Sequence, residues 1–326
     1  MSTVADDKSG TDDTAGTHLS GTWENAGRSP GAAATLILLG IGFLYFNVQS
    51  LLGALAVLTF EPISQGDASL SFSDRMIDML RENADPLRAI VVFTQYAFLL
   101  LPAWLLVRRW HTPDVRSYVR LRRLPVVETL LAVLITLAFI PTGTFIAAEL
   151  TRQLNPPRWL EEVNAVLFTA RTAPEFLWLV FVVALTPAIC EEIFFRGIVQ
   201  RSFERVMGWK SVILIGVAFG LFHMQPLGLI TLSILGLLFG YFFFRSRSLA
   251  PSMAAHAANN FLALYLMYQE PVVSGVNLAT NEQIPLSWVL GSLPIGILLL
   301  LLYQKLTEPL QQLREELADD PGARAS

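Results

Sequence analysis

Long uncharged apolar blocks alternate with short polar segments along most of this chain. A helix needs about 20 apolar residues to cross the hydrocarbon core of a bilayer, and helices satisfy their own backbone hydrogen bonds in lipid. The pattern therefore predicts an all-α protein built as a membrane helix bundle. The blocks lie at residues 33–60, 89–107, 129–148, 176–190, 211–244, 248–269 and 283–304.

The block at residues 211–244 is too long for a single crossing. Near its middle, Gln225-Pro226-Leu227-Gly228 has the composition of a turn, and it divides the block into two rather short helices. We therefore predict a polytopic bundle of about eight transmembrane helices.

The two ends of the chain are polar. Residues 1–31 are rich in Ser, Thr, Gly and Asp, and we interpret them as a disordered cytoplasmic tail. They do not have the basic and short apolar regions of a signal peptide. Residues 32–305 form the predicted transmembrane bundle, and residues 306–326 form a cytoplasmic polar tail.

Composition agrees with a membrane protein and excludes other classes. The chain is 53% hydrophobic and 15% charged, whereas a soluble domain carries roughly 25% charged residues. A formal net charge of −4 without a basic domain argues against a nucleic-acid partner. The single cysteine, Cys190, excludes an intramolecular disulfide framework.

Charges between the blocks predict the orientation of the bundle. The loop between the second and third blocks is strongly basic, with six arginines against Asp114 and, at its end, Glu128. Cytoplasmic loops are enriched in Lys and Arg, so this loop is predicted to be cytoplasmic. With eight crossings, both termini then lie in the cytoplasm, and we expect an integral protein of the plasma membrane. The six arginines of the loop are Arg108, Arg109, Arg116, Arg120, Arg122 and Arg123.

Four ionisable side chains lie inside apolar blocks or at their ends: Glu191, Glu192, His223 and His256. An ionisable group at the centre of a membrane helix costs roughly 2.5–3.5 kcal/mol, so such groups face the bundle interior and mark functional sites. Counted at 1.5 Å per residue from the basic end of each helix, three of them lie roughly 13–20 Å deep. We therefore predict that three helices bring their polar groups to one layer.

Helix geometry gives the two adjacent glutamates different partners. Glu192 and Arg196 are four residues apart on one face, in the favourable order for an ion pair. Glu191 is rotated by about 100° from Glu192 and has no such partner. We interpret the Glu192–Arg196 pair as structural and Glu191 as the candidate for chemistry.

Two further pairs share a helix face at the same spacing, Phe219 with His223 and His256 with Asn260. A buried carboxylate can act as a general base on water, and imidazoles can transfer protons. An amide can donate to a developing oxyanion. Together these groups predict a hydrolytic site inside the membrane.

Three motifs in this order resemble a known family. Glu191 to Arg196 has the pattern EExxxR, Phe219 to His223 has FxxxH, and His256 to Asn260 has HxxxN. The chain is similar, over residues 120–270 or so, to the CPBP family of intramembrane proteases. These are related to the type II CAAX prenyl endopeptidase, the Ras-converting enzyme.

The resemblance implies an eight-helix fold and a glutamate-dependent endopeptidase without a cofactor or metal. Glu191 would be the general base, assisted by His223, and His256 with Asn260 would stabilise the oxyanion. Three more motif residues would support the site, namely Glu192, Arg196 and Phe219. The implied partners are the lipid bilayer and a membrane peptide or protein, whether lipid-modified or not.

Two other functions fit the same residues. A zinc protease could use His223, His256 and a glutamate, since two histidines and a glutamate are a known catalytic zinc set, although the HExxH spacing is absent. A non-catalytic membrane protein could bind peptide or confer bacteriocin immunity. Sensitivity to chelators separates the zinc enzyme from the glutamate enzyme, and a Glu191→Gln variant separates both from the non-catalytic protein.

The charge pattern leads to a test of topology. A reporter enzyme that is active only outside the cytoplasm, fused after Ser326, should stay inactive, because the basic loops hold both termini in the cytoplasm. The control fusion is placed after residue 65, in the first acidic loop, where the reporter should be active. Strong activity of the C-terminal fusion would contradict the eight-crossing topology.

Overall fold

The computed structural model describes residues 18–59, 72–121, 124–156, 168–269 and 285–319, and these ranges contain helices but no β-strand. The helices are α1 (Thr22–Asn25), α2 (Pro30–Thr59), α3 (Phe72–Glu82), α4 (Ala84–Trp110), α5 (Val115–Tyr118), α6 (Val126–Leu154), α7 (Ala173–Met207), α8 (Lys210–Phe222), α9 (Leu229–Ser246), α10 (Ala250–Gln269) and α11 (Leu286–Asp319).

The predicted polytopic all-α bundle is confirmed. In the described ranges, α2, α4, α6, α7, α9 and the first part of α11 are six helices long and apolar enough to cross a membrane. The predicted turn is also present, since α8 ends at Phe222 and α9 begins at Leu229. Helix α8 has only 13 residues, and α10 carries His256, Asn259 and Asn260. The count of eight crossings therefore stays a prediction.

Two large apolar clusters and a smaller one between α7 and α10 build the interior of the described bundle. Outward-facing leucines of α2, α6 and α11 remain exposed, as lipid contact requires. The first cluster joins α2 and α4 to the second half of α7. The second cluster joins α6, α9 and α11. Representative buried residues are Ile37, Leu99, Phe194 and Phe195 in the first cluster and Ile135, Phe239, Phe242 and Tyr303 in the second.

Two of the helices that line the polar interior, α4 and α7, are not regular α-helices. Helix α4 contains a π-helical segment at Gln95–Leu100, and α7 contains two, at Val180–Leu185 and Ile193–Gln200. Pro102 and Pro187 lie just after two of these segments. Proline lacks the N–H that continues the regular ladder of hydrogen bonds, and π-helical turns are frequent at functional sites.

Helices α8 and α9 form a tight hairpin beside α7. A Cβ atom added to Gly236 would lie 2.5 Å from the backbone oxygen of Gly216. The absence of side chains at these two positions lets the two helix backbones touch, as small residues do in membrane bundles. This contact places the backbone of Gly236 next to α7.

The N-terminal polar segment is ordered in part, which corrects the prediction of a disordered tail over residues 1–31. Residues 1–17 lie outside the described ranges, but α1 packs against the end of α4. The Trp23 and Trp110 rings stack with centroids 4.9 Å apart, and the Gly21 N–H donates to the His111 carbonyl at 2.9 Å. The polar composition of the segment concealed these contacts because their partners are distant in sequence.

Glu24 joins this segment to two membrane helices. Its carboxylate accepts hydrogen bonds from Arg205 of α7 at 2.7 and 3.0 Å and pairs with His111, which follows α4. Burial raises the pKa of Glu24, but the hydrogen bonds with His111 and Arg205 outweigh burial and lower it to about 2. Glu24 is therefore ionised at neutral pH.

Candidate active site

A fully buried ion pair lies at the centre of the bundle. Arg196 Nη1 donates to Glu192 Oε1 at 2.9 Å, and both side chains are 0% exposed. The same carboxylate oxygen lies 2.8 Å from Nδ1 of His256, on α10. The structure thus pairs Glu192 with Arg196, as predicted, and adds His256 to the pair.

Arg196 is surrounded by acceptors and aromatic rings. Its Nη2 donates to the backbone oxygen of Gly236 at 3.0 Å. Its guanidinium carbon lies 4.4 Å from the centroid of Phe219 and 5.5 Å from that of Phe239. A cation over an aromatic face gains about 2 kcal/mol or more when it is desolvated. These contacts offset part of the cost of burying the charge.

Glu191 points away from this pair, as the rotation along the helix predicted. Its Oε1 accepts a hydrogen bond from Gln95 Nε2 at 3.3 Å, and its Oε2 lies 3.9 Å from Nε2 of His223. Oε2 is buried and makes no hydrogen bond with any residue that the structure describes. The carboxylate of Glu191 is therefore held on one side and open toward His223 on the other.

His223 is the C-cap residue of α8, and its ring orientation is set by its own helix. Nδ1 of the ring is 2.8 Å from the backbone oxygen of Phe219. If this nitrogen carries a proton, it donates to that oxygen and leaves Nε2 as an acceptor facing Glu191. The Phe219 ring packs edge-to-face on His223 at 4.7 Å and on His256 at 5.8 Å. Phe219 therefore contacts both histidines.

Asn260 is held against α7 by a backbone oxygen. Its Nδ2 donates to the Val183 carbonyl at 2.8 Å. In a regular helix that carbonyl would accept the N–H of residue 187, but this residue is proline and has none. Pro187 thus leaves an acceptor on α7 that fixes the side chain of Asn260 about two turns before Glu191.

Gln95 is a site residue that the sequence analysis did not identify. It lies on α4, is 4% exposed and contacts Glu191 directly. The sequence prediction used ionisable groups in apolar blocks, and Gln95 is not one of them because its amide carries no charge. An uncharged polar pair inside the second block, Thr94 and Gln95, was the available signal.

The zinc hypothesis requires His223, His256 and a glutamate to converge on one point. In the described part of the chain, no group of three His, Cys, Asp or Glu side chains is placed to hold a metal ion. The two histidines contact different carboxylates, His223 facing Glu191 and His256 bonding Glu192. The geometry does not favour a shared zinc ion.

The comparisons with known proteins agree with the motifs. Residues 173–262 match the family model described as type II CAAX prenyl endopeptidase Rce1-like. In this segment the chain is similar to the Rce1-like family. All three motifs lie within it, so the resemblance found from the sequence is confirmed. No curated protein and no solved structure matches the chain.

The Rce1-like segment supports an integral membrane protein with intramembrane protease activity of the CAAX type. It spans α7 to the middle of α10 and therefore contains Glu191, His223, His256 and Asn260. Gln95 lies outside it. The contact between Gln95 of α4 and Glu191 therefore comes from the structure and not from the family match.

The buried pair leads to a stability prediction. Arg196→Ala should leave Glu192 buried without its cation and lower the free energy of unfolding by about 3–5 kcal/mol, as for other broken buried pairs. Thermal or denaturant unfolding in detergent measures the loss. The control is Arg152→Ala, which breaks an exposed pair with Glu149 and should unfold like the wild type, because exposed pairs contribute little. Equal stability of the two variants would contradict a structural role for Arg196.

Proposed function

We propose that this protein is a glutamate-dependent intramembrane endopeptidase that cleaves a peptide bond of a membrane-associated peptide or protein. The observation that carries the proposal is the pairing of Glu191 with His223 across 3.9 Å in the bundle interior. The Rce1-like segment supports the protease class. The positive-inside pattern supports an orientation with both termini in the cytoplasm, and we infer the plasma membrane as the location.

Glu191 acts as the general base in this mechanism. A separation of 3.9 Å is too long for a direct hydrogen bond, but a water molecule roughly 2.8 Å from each atom would be held by both. Glu191 Oε2 takes a proton from this water as its oxygen attacks the scissile carbonyl carbon. A C–O bond forms, and the carbonyl oxygen becomes an oxyanion.

Collapse of the tetrahedral intermediate completes the hydrolysis. The C–N bond breaks, and the proton taken by Glu191 passes to the leaving amine, with His223 orienting the water and sharing the transfer. No net proton is gained or lost by the enzyme. Gln95 holds the second oxygen of Glu191, which keeps Oε2 directed at the reacting water.

His256 and Asn260 stabilise the oxyanion. Nδ1 of His256 faces Glu192 at 2.8 Å and can donate to it, which leaves Nε2 as the ring nitrogen available to the oxyanion. Asn260 uses one amide N–H on Val183 and has a second for the oxyanion. Each donor is fixed by a contact with α7, which is the preorganisation that makes such donors effective.

The central test replaces the base. Glu191→Gln keeps the size of the side chain and removes its basicity, so hydrolysis of a prenylated peptide with a CAAX terminus should fall by about 10²–10⁴-fold. The melting temperature should stay near that of the wild type, and a strong zinc chelator should not inhibit the wild-type enzyme. The control is Glu149→Gln, which changes an exposed glutamate of α6. Normal cleavage by the Glu191 variant would overturn the mechanism.

The role of Gln95 can be tested separately. Gln95→Leu removes the donor to Glu191 and should lower kcat by about tenfold, as expected for loss of one hydrogen bond to a charged group. KM should change little, because Gln95 does not face the substrate in this mechanism. Gln49→Leu is the matched control, since Gln49 contacts neighbouring Thr94 at 3.1 Å. If the two variants lose kcat equally, the Gln95 contact does not position the base.

A further inference from the structure

A second group of charged side chains lies at the arginine-rich end of the bundle. It consists of Arg120 in the loop before α6, Arg201 and Glu204 near the end of α7, and Arg247 in the turn between α9 and α10. At about 1.5 Å per residue, Arg201 lies roughly 15 Å along α7 from Glu191. The group is therefore separate from the glutamate–histidine site.

Two arginines of this group bond its single carboxylate, that of Glu204. Arg120 Nη1 and Nη2 donate to Glu204 Oε2 and Oε1 at 3.0 and 3.2 Å. Arg247 Nη1 also donates to Oε1. The Glu204 side chain is only 4% exposed. Both oxygens of Glu204 are engaged, and they are shielded from solvent.

Arg201 is the member of the group that forms no ion pair with a carboxylate in the described part of the chain. It is 5% exposed, and its buried Nε makes no hydrogen bond with any residue in the described ranges. Arg201 and Glu204 are three residues apart on α7 and therefore lie on the same face of the helix. Arg120 bonds Glu204, so Arg201 lies beside a carboxylate that Arg120 and Arg247 already occupy. The positive charge of Arg201 agrees with this placement, because after burial it is the next cause that lowers the pKa of Arg120.

A buried cation without an anion is costly. An anion with several acceptor oxygens removes that cost, and guanidinium groups bind phosphate through paired N–H donors. The group lies at the basic ends of the membrane helices, which is the depth of lipid headgroups. Basic pockets between helices on the cytoplasmic side are typical binding sites for anionic headgroups.

We propose that Arg201, together with Arg120 and Arg247, binds a phosphate group, that of an anionic phospholipid in the cytoplasmic leaflet. The bound headgroup neutralises Arg201 and ties the end of α7 to the loop before α6 and to the turn after α9. This function goes beyond the proposed peptidase activity and does not depend on it.

Retention of lipid tests the proposal. The full-length protein is reconstituted in vesicles of phosphatidylglycerol and phosphatidylcholine in equal parts, released in mild detergent and weighed by native mass spectrometry. The wild type should retain phosphatidylglycerol in preference to phosphatidylcholine. Arg201→Gln should retain about tenfold less, the effect of losing one charged contact. Arg108→Gln removes an exposed arginine near the end of α4 and should behave like the wild type.

Two further experiments identify the source of the phosphate group and control for misfolding of the variant. Inorganic phosphate is titrated into protein in phosphatidylcholine alone, and thermal unfolding is followed. Protection by phosphate without retention of phosphatidylglycerol would keep the site but assign it to free phosphate. Arg201→Lys keeps the charge without the paired donors and should retain an intermediate amount of lipid.

The wild type alone can overturn the proposal. If it shows neither a preference for phosphatidylglycerol nor protection by phosphate, the charge of Arg201 is not neutralised by a phosphate group. This outcome does not require any variant to fold. Equal retention by the wild type and a folded Arg201→Gln variant would also refute the assignment.

Discussion

The ion pair between Glu192 and Arg196 is the constraint on which the interior of this bundle depends. A charge buried in a membrane protein must find its partners inside the protein. Arg196 finds them on three helices: Glu192 on α7, the Gly236 carbonyl on α9 and the Phe219 ring on α8. The close contact of Gly216 with Gly236 brings that carbonyl within reach. One buried pair thereby fixes the relative positions of α7, α8 and α9.

The same ion pair gives the two adjacent glutamates different surroundings. Glu192 is bound by Arg196 and His256, whereas Glu191 is held by one amide and left open toward His223. Successive residues of a helix point in directions about 100° apart. Two adjacent glutamates can therefore lie in different surroundings, one in a structural ion pair and the other in the proposed reactive site. The proposed chemistry uses the glutamate that the structure leaves less constrained.

Much of this arrangement could be predicted from the sequence. Uncharged blocks locate membrane helices because hydrocarbon excludes charge, and the spacing of Glu192 and Arg196 indicates a pair that the structure contains. The spacing of residues along one helix could not show that His256 bonds Glu192, because that contact depends on how α7 and α10 pack. Gln95 was not predicted because its amide carries no charge. Of the three π-helical segments, two have only the proline that follows them as a sequence signal, and the third, at Ile193–Gln200, is not followed by a proline.

The N-terminal segment has a consequence for how the protein is handled. Glu24 bonds Arg205 at the end of α7 and His111 after α4, and these two helices also carry Glu191 and Gln95. The segment therefore works as a clasp: it ties together the two helices that meet at the carboxylate of Glu191. A chain trimmed at residue 32, where the apolar sequence begins, would keep every motif residue and lose the clasp. For this protein, the polar N-terminal segment is part of the scaffold of the proposed site.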